Sequence, residues 1–205
     1  KPFGEEYTLV SVSDYILSTI AEKARSKGKD IEKLCRPYKF ATSSNLSSTR
    51  ALRDVTERYG GKYEPAAVGE VNVVTRMKEI GAVIGGEGNG GVIYPALHYG
   101  RDAMVGVALF LSNMAHKGLT ATQLRATYPD YFIAKNKIQL SDQSLVQKVL
   151  DGVKASFAKE DINTVDGVKI SFEAERKWVH LRRSNTEPII RIYAEAPAQD
   201  TAEEL

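Results

Sequence analysis

Cysteine is almost missing: Cys35 stands alone in 205 residues. No intrachain disulfide can form, and a reducing compartment is expected. An excess of either charge is missing as well, because 28 lysines and arginines face 26 aspartates and glutamates for a formal net charge of +2. That balance excludes recruitment of nucleic acid or membrane by bulk attraction, so any anion binding must be local. No apolar run reaches the roughly 18–20 residues that span a bilayer, and the opening KPFGEEY has no signal-peptide character. A cytoplasmic location without a membrane partner is expected. The three histidines lack metal-ligand spacing and are read as structural or solvated.

What is present suits a folded globular chain. Apolar residues make up 42% and charged residues 26%, enough for a core. The length is comfortable for two domains of common size. Both ends are read as cut, because the chain opens on lysine and stops at QDTAEEL, where a helix begins. The expectation is an excised piece of something longer.

Apolar periodicity organises the first part. Leu9, Val12, Ile16 and Ile20 mark a helix that stops near Gly28. An extended segment follows near residues 39–42. Ser47 or Ser48 then offers a cap to a helix with Leu52, Val55 and Tyr59 on its apolar side, ending at Gly60-Gly61. Val71, Val74 and Met77 predict a third helix closed by Gly81, and Met104, Ala108 and Leu111 a long amphipathic one over residues 101–118. Thr120 and Gln123 form a capping box.

After Ser141 the texture changes. A helix through Leu145, Val149 and Val153 precedes a hairpin signalled by Asp166-Gly167, then strands at residues 177–183 and 189–194. Helices alternating with strands predict an α/β domain, and a helix followed by a meander predicts a smaller α+β domain. The boundary is placed between residues 138 and 139, giving domains 1–138 and 139–205.

Two loops carry the chemistry. The first, GGEGNGG, superficially matches a dinucleotide fingerprint, but Val92-Ile93-Tyr94-Pro95 follows it where a helix would have to open. What remains is a bare backbone that a ligand can approach closely, carrying Glu87 and Asn89. A carboxylate accepts from two neighbouring hydroxyls, and a carboxamide both donates and accepts. The pair suits a sugar diol; a hairpin-like surface turn is the alternative.

The second loop is LRRSNTEPIIR. Alternation along strands puts Val179 and Leu181 on a core face with Ile190, Ile192 and Ala194. Trp178, His180, Arg182 and Arg191 then share the opposite face, so Arg182 and Arg191 converge while Arg183 points away. Between them Ser184, Asn185 and Thr186 offer two hydroxyls, an amide and backbone donors, the set that a phosphate dianion needs beside paired guanidinium groups. Pro188 fixes the loop's end. The alternative is a solvated turn whose arginines pair with Glu187 and other acids.

Taken in this order, GGEGNGG and RRSNTEPIIR resemble the sugar- and phosphate-binding loops of the α-D-phosphohexomutase superfamily. PFGEEYTL resembles the entry to that family's third domain, and DGVKI with WVHLRRSNTEP its fourth. The resemblance implies a helix-flanked mixed sheet followed by a domain similar in fold to a TATA-binding-protein domain. It implies phosphate transfer between the 1- and 6-positions of a hexose through a bisphosphate. It also implies preceding domains of the same polypeptide that supply a phosphoserine and an aspartate-rich Mg²⁺ loop, with the Mg²⁺ ligands outside this chain.

Residue by residue, the resemblance places Glu87 and Asn89 at the sugar. Arg182, Ser184, Asn185, Thr186 and Arg191 fall at the phosphate. Gly91 stands where many members have histidine, and Ala67 where some have a substrate-binding lysine. Ser43, Ser44, Ser47 and Ser48 lack the basic partner of an activated nucleophile, so no catalytic residue is assigned to this chain. The expected ligand is a hexose phosphate, with glucose, mannose and glucosamine phosphates all open. A non-catalytic phosphosugar-binding module is the alternative. RNA is disfavoured because exposed aromatics do not interleave with the basic residues.

Overall fold

The computed structural model describes residues 2–142, 144–184 and 188–205. It divides into two compact units, the first ending at Pro129 and the second spanning Asp130–Leu205.

The first unit is built on a four-stranded sheet. Its strands are β1 (Lys39–Asn45), β2 (Lys62–Ala66), β3 (Ala82–Glu87) and β4 (Gly91–Ile93). Their order is β2-β1-β3-β4, parallel across the first three and antiparallel between β3 and β4. Helices α1 (Glu5–Lys27), α2 (Ile31–Cys35), α3 (Ala51–Arg58), α4 (Glu70–Ile80), α5 (Ala103–Lys117) and α6 (Ala121–Ala126) complete it. The expected mixed sheet with flanking helices is what forms.

Helices flank both faces of the sheet because β3 carries almost no side-chain bulk at its centre. A Cβ at Gly85 would lie 2.7 Å from Met77 Sδ of α4, and one at Gly86 would lie 3.2 Å from Leu9 Cδ1 of α1. Glycines thus let α4 and α1 press on the same strand from opposite sides. The α4 side holds Val73, Met77, Ala82 and Ile93; Leu9, Val12 and Leu17 of α1 are likewise buried.

Helix stops fall at Gly28, Gly81 and Gly118 as predicted, and Thr120 with Gln123 forms a complete capping box. Three local expectations differ. The cap position of α3 is Arg50, with no side-chain cap bond, because Ser47 and Ser48 are drawn into a turn around Asn45. In α4 the buried positions are Val73 and Met77, and Val71 is exposed. In α5 the buried positions are Gly106 and Asn113, while Met104, Val107 and Leu111 face solvent. Gly106 is buried because a Cβ there would lie 3.2 Å from Val92 Cγ2, so close approach of α5 to β4, not apolar periodicity, sets the helix's rotation.

A buried polar node ties α1 to its neighbours. Asp14 is inaccessible to solvent. It accepts from Tyr59 Oη at 2.7 Å, from Tyr128 Oη at 2.7 Å and from Lys117 Nζ. Burial alone would raise its pKa, but hydrogen bonds from Lys117, Tyr128 and Tyr59 outweigh that and hold the carboxyl below its ordinary value.

The second unit is a five-stranded antiparallel sheet with α7 (Ser144–Ser156) and α8 (Gln199–Glu204). Its strands are β5 (Phe132–Gln139), β6 (Asp161–Asn163), β7 (Val168–Phe172), β8 (Lys177–Arg183) and β9 (Ile189–Ala196), in the order β5-β9-β8-β7-β6. The division between units falls earlier than residue 138 because Phe132–Gln139 pairs along its whole length with β9. Val146 and Leu150 of α7 pack on Val168, Ile170, Val179, Leu181, Ile190 and Ala194. The core face read from strand alternation is therefore the one observed. Among the described residues no helix is long and apolar enough to cross a membrane.

Asp14→Asn should lower stability by roughly 3 kcal/mol, the cost of leaving a buried partner uncompensated, in urea denaturation near neutral pH. Because the native pKa is depressed, this contribution is complete above the unfolded carboxylate range and lost as pH falls through the native value. Denaturation midpoints of wild type and variant should converge in acid.

Candidate functional site

Glu87 ends β3, and the β3–β4 hairpin turns immediately after it. The pairing continues to Glu87 opposite Gly91. At Gly86, φ is +156° and a Cβ would fall 1.9 Å from Gly91 O. Only glycine lets the two strands close so tightly, which is why the motif ends in a hairpin and not in a helix.

The Glu87 carboxylate is buried, with its side chain 8% exposed. Oε1 accepts from Asn45 Nδ2 at 2.9 Å and from Gly69 N at 3.2 Å. Oε2 lies 3.9 Å from Arg101 Nη1. Asn45 Oδ1 accepts from Ser47 N at 2.9 Å and Ser48 Oγ at 3.0 Å, and Ser48 Oγ accepts from Gly88 N at 2.9 Å. One carboxylate oxygen is thus held by the protein and the other faces a cation. Asn89 is exposed in the turn, and its Oδ1 accepts from Gly91 N at 3.1 Å.

The second unit carries the arginines. Arg182 on β8 stands directly opposite Arg191 on β9, and Arg191 stands opposite Lys137 on β5. Three cations therefore form one row across three adjacent strands. Like charges directly opposite destabilise a sheet, and an anion on that row would relieve the repulsion. Asp166 gives partial relief, with Oδ2 3.5 Å from Arg182 Nη1. Arg183 pairs with Ile190 and so lies on the other face.

Ser184 is buried, and its N–H donates to Ile189 O at 3.0 Å, closing the neck of the loop. Leu140 N donates to Pro188 O at 2.9 Å, tying that neck to the end of β5. Asn185, Thr186 and Glu187 lie outside the described residues.

The cation face is not open along its full length. Trp178 and His180 are buried on it. Trp178 Nε1 donates to Glu195 Oε2 at 2.6 Å, and Lys169 Nζ sits 3.8 Å from the indole ring centroid. His180 Nε2 donates to Asp166 O at 2.5 Å, which fixes its tautomer. Burial lowers the His180 pKa to about 4, so the imidazole is neutral near pH 7 and adds nothing to the row.

The structure puts Glu87 and Asn89 on one hairpin and Arg182, Arg191 and Ser184 around one strand connection. Asn45, Gly69, Arg101 and Lys137 escaped sequence reasoning. Asn45 ends β1, and Gly69 and Arg101 lie in connections, which only the parallel sheet gathers, and Lys137 becomes visible only through the β5–β9 register. Among the described residues no cluster of three or more His, Cys, Asp or Glu side chains is placed to hold a metal ion.

The first unit is thus a mixed sheet with a buried carboxylate at a glycine hairpin, and the second an antiparallel sheet with a row of cations. Comparison with known proteins gives the chain a family. Residues 12–131 match the phosphoglucomutase/phosphomannomutase α/β/α domain III model, and residues 137–205 match that family's C-terminal domain model. The chain belongs to the α-D-phosphohexomutase superfamily and comprises C-terminal domains of that architecture.

A probable phosphoglucosamine mutase of Methanopyrus kandleri is 34% identical over 163 residues, covering 78% of this chain and 35% of the relative. A phosphoglucomutase/phosphomannomutase of Thermococcus kodakarensis matches with the same identity and coverage. The chain thus spans about a third of these relatives' length. A solved phosphoglucomutase/phosphomannomutase family protein from Burkholderia thailandensis superposes with a TM-score of 0.67 at 19% identity, covering 94% of this chain and 39% of that one. Aspergillus fumigatus N-acetylphosphoglucosamine mutase, solved with GlcNAc-6P and magnesium, gives 0.62 at 17% identity, covering 98% and 44%. At those identities the structures speak for the fold.

Asn45→Ala removes the amide that holds Glu87 and should cost about 1–3 kcal/mol, the penalty for an unsatisfied buried oxygen, in chemical denaturation. For His180, the unfolded imidazole takes a proton near 6.5 and the native one near 4. Stability should therefore fall as pH drops between those values, by roughly 3 kcal/mol in all. His180→Phe should flatten that part of the stability curve, and an unchanged slope would refute the assignment.

Proposed function

We propose that this chain is the substrate-binding part of a phosphohexomutase, which interconverts hexose 1-phosphate and hexose 6-phosphate through a bisphosphate intermediate. By itself it is inactive as a mutase. The observation that carries this reading is the register placing Arg182 opposite Arg191 beside the Ser184 loop. Family membership supports the reaction class.

In this reading the phosphate that is not reacting rests on Arg182, Arg191, Ser184, Asn185 and Thr186. Planar guanidinium groups pair bidentately with phosphate oxygens, and the neutral donors satisfy what remains. Glu87 and Asn89 take sugar hydroxyls. The phosphoryl group is transferred at the sugar's other end by groups in the preceding part of the polypeptide, where Mg²⁺ would neutralise developing charge. Because the bisphosphate turns over between the two transfers, each phosphate in turn occupies the same arginine loop. That requires a loop specific for the dianion and indifferent to which hexose carbon bears it. The names of the two relatives described above are consistent with glucose, mannose and glucosamine phosphates as candidate substrates.

In the full-length polypeptide, Arg182→Ala and Ser184→Ala should each reduce mutase turnover. Loss of one charge-assisted contact corresponds to about 1.5–3 kcal/mol, easily seen in a steady-state assay with glucose 1-phosphate. Turnover at the wild-type rate in both variants would overturn the proposal. A steep salt dependence of ligand binding would favour a nucleic-acid module instead.

A further inference from the structure

Arg101 lies outside the two loops from which the function was read. An isolated bridge to Ile93 holds its backbone beside β4. Its side chain runs back across Gly91, where a Cβ would lie 2.8 Å from Arg101 Cδ and 3.5 Å from Cγ. The arginine stem therefore fills the space that a side chain at position 91 would take. Its Nε donates to Glu70 Oε2 at 2.8 Å, and its backbone N donates to Glu70 Oε1 at 3.3 Å. Glu70 opens α4, immediately after Gly69, whose own N–H holds Glu87.

The guanidinium is thus aimed at Glu87, with Nη1 3.9 Å from Oε2. That distance is too long for a direct hydrogen bond. It accommodates one oxygen about 3 Å from each atom, a hydroxyl that donates to the carboxylate and accepts from the guanidinium. The Arg101 side chain is 47% exposed, and ion pairs with that exposure add little to stability. Tethering it at two points of Glu70 has a better rationale at a binding site than in the fold.

We propose that Arg101 contacts the ligand in the Glu87 pocket, sharing one hexose hydroxyl with Glu87, and that Glu70 is the positioning residue that aims it. The inference rests on the reading of Glu87 as the sugar-binding carboxylate. A carboxylate alone can only accept; beside it, a guanidinium lets the pocket grip both the proton and a lone pair of the same hydroxyl. It also makes the pocket unfavourable for an ammonium in place of that hydroxyl.

The test is calorimetric binding by the full-length protein, with glucose 6-phosphate and inorganic phosphate as separate probes. Arg101→Met should weaken glucose 6-phosphate about tenfold or more and leave inorganic phosphate unchanged. Arg101→Lys should recover part of the loss, because a point charge replaces a fork. Glu70→Gln should weaken the same sugar phosphate by a smaller factor. Wild-type affinity for glucose 6-phosphate in Arg101→Met would overturn the inference alone. Equal losses for both probes would also overturn it, by showing a general effect. If Glu87→Gln binds glucose 6-phosphate as wild type does, the reading of Glu87 fails and the inference fails with it.

Discussion

Two guanidinium groups standing opposite each other on neighbouring antiparallel strands are the constraint on which the second unit turns. Val179, Leu181, Ile190 and Ala194 must face α7 to make a core, and strand alternation then sends Arg182 and Arg191 to one place on the other face. A shift of one residue in the β8–β9 register would break the core and scatter the cations together. Hydrophobic burial thus enforces an electrostatic conflict that the sheet would not otherwise adopt. Lys137 sharpens it from β5, the edge strand, where lysine also discourages pairing with other chains.

The first unit solves a related problem with a single carboxylate. Glu87 is nearly as buried as Asp14, yet the two are finished differently. Asp14 is closed in by Lys117 and two tyrosine hydroxyls, which leaves it a structural tie between helices. Glu87 has one oxygen satisfied by Asn45 and Gly69 and the other facing a guanidinium beyond hydrogen-bond distance. The parallel sheet explains how this is possible. Connections after β1, after β2 and before α5 converge on the end of β3, which is where open α/β sheets place their binding crevices.

Legibility in the sequence followed how local each signal was. Strand parity, the capping box at Thr120 and the helix stops depend on near neighbours, and they were readable. The strand after GGEGNGG was enough to reject a dinucleotide loop, because Gly86 can close a hairpin where a Cβ would strike Gly91 O. The rotation of α5 was not readable, since it follows from Gly106 approaching Val92 and not from the placement of Met104 and Leu111. Nor was the membership of β5, whose IAKNKIQ alternates too weakly to announce a strand and is committed by its partner β9. Glu87 and the arginines could be singled out as candidates because their chemistry sits in short motifs. Asn45 and Arg101 were missed because each reaches Glu87 from a distant part of the chain.

What separates a candidate binding residue from a structural one here is the degree of internal compensation, not burial. A fully partnered buried charge contributes to the fold and has nothing left for a ligand. A charge that the fold brings in and leaves half-satisfied costs stability until something complementary arrives. The outer oxygen of Glu87 has that character, and the cation row, though Arg191 and Lys137 are exposed, keeps a mutual repulsion that an anion would relieve. Under the proposed function a hexose phosphate would supply both groups, a hydroxyl for the carboxylate of the first unit and an anion for the cation row of the second.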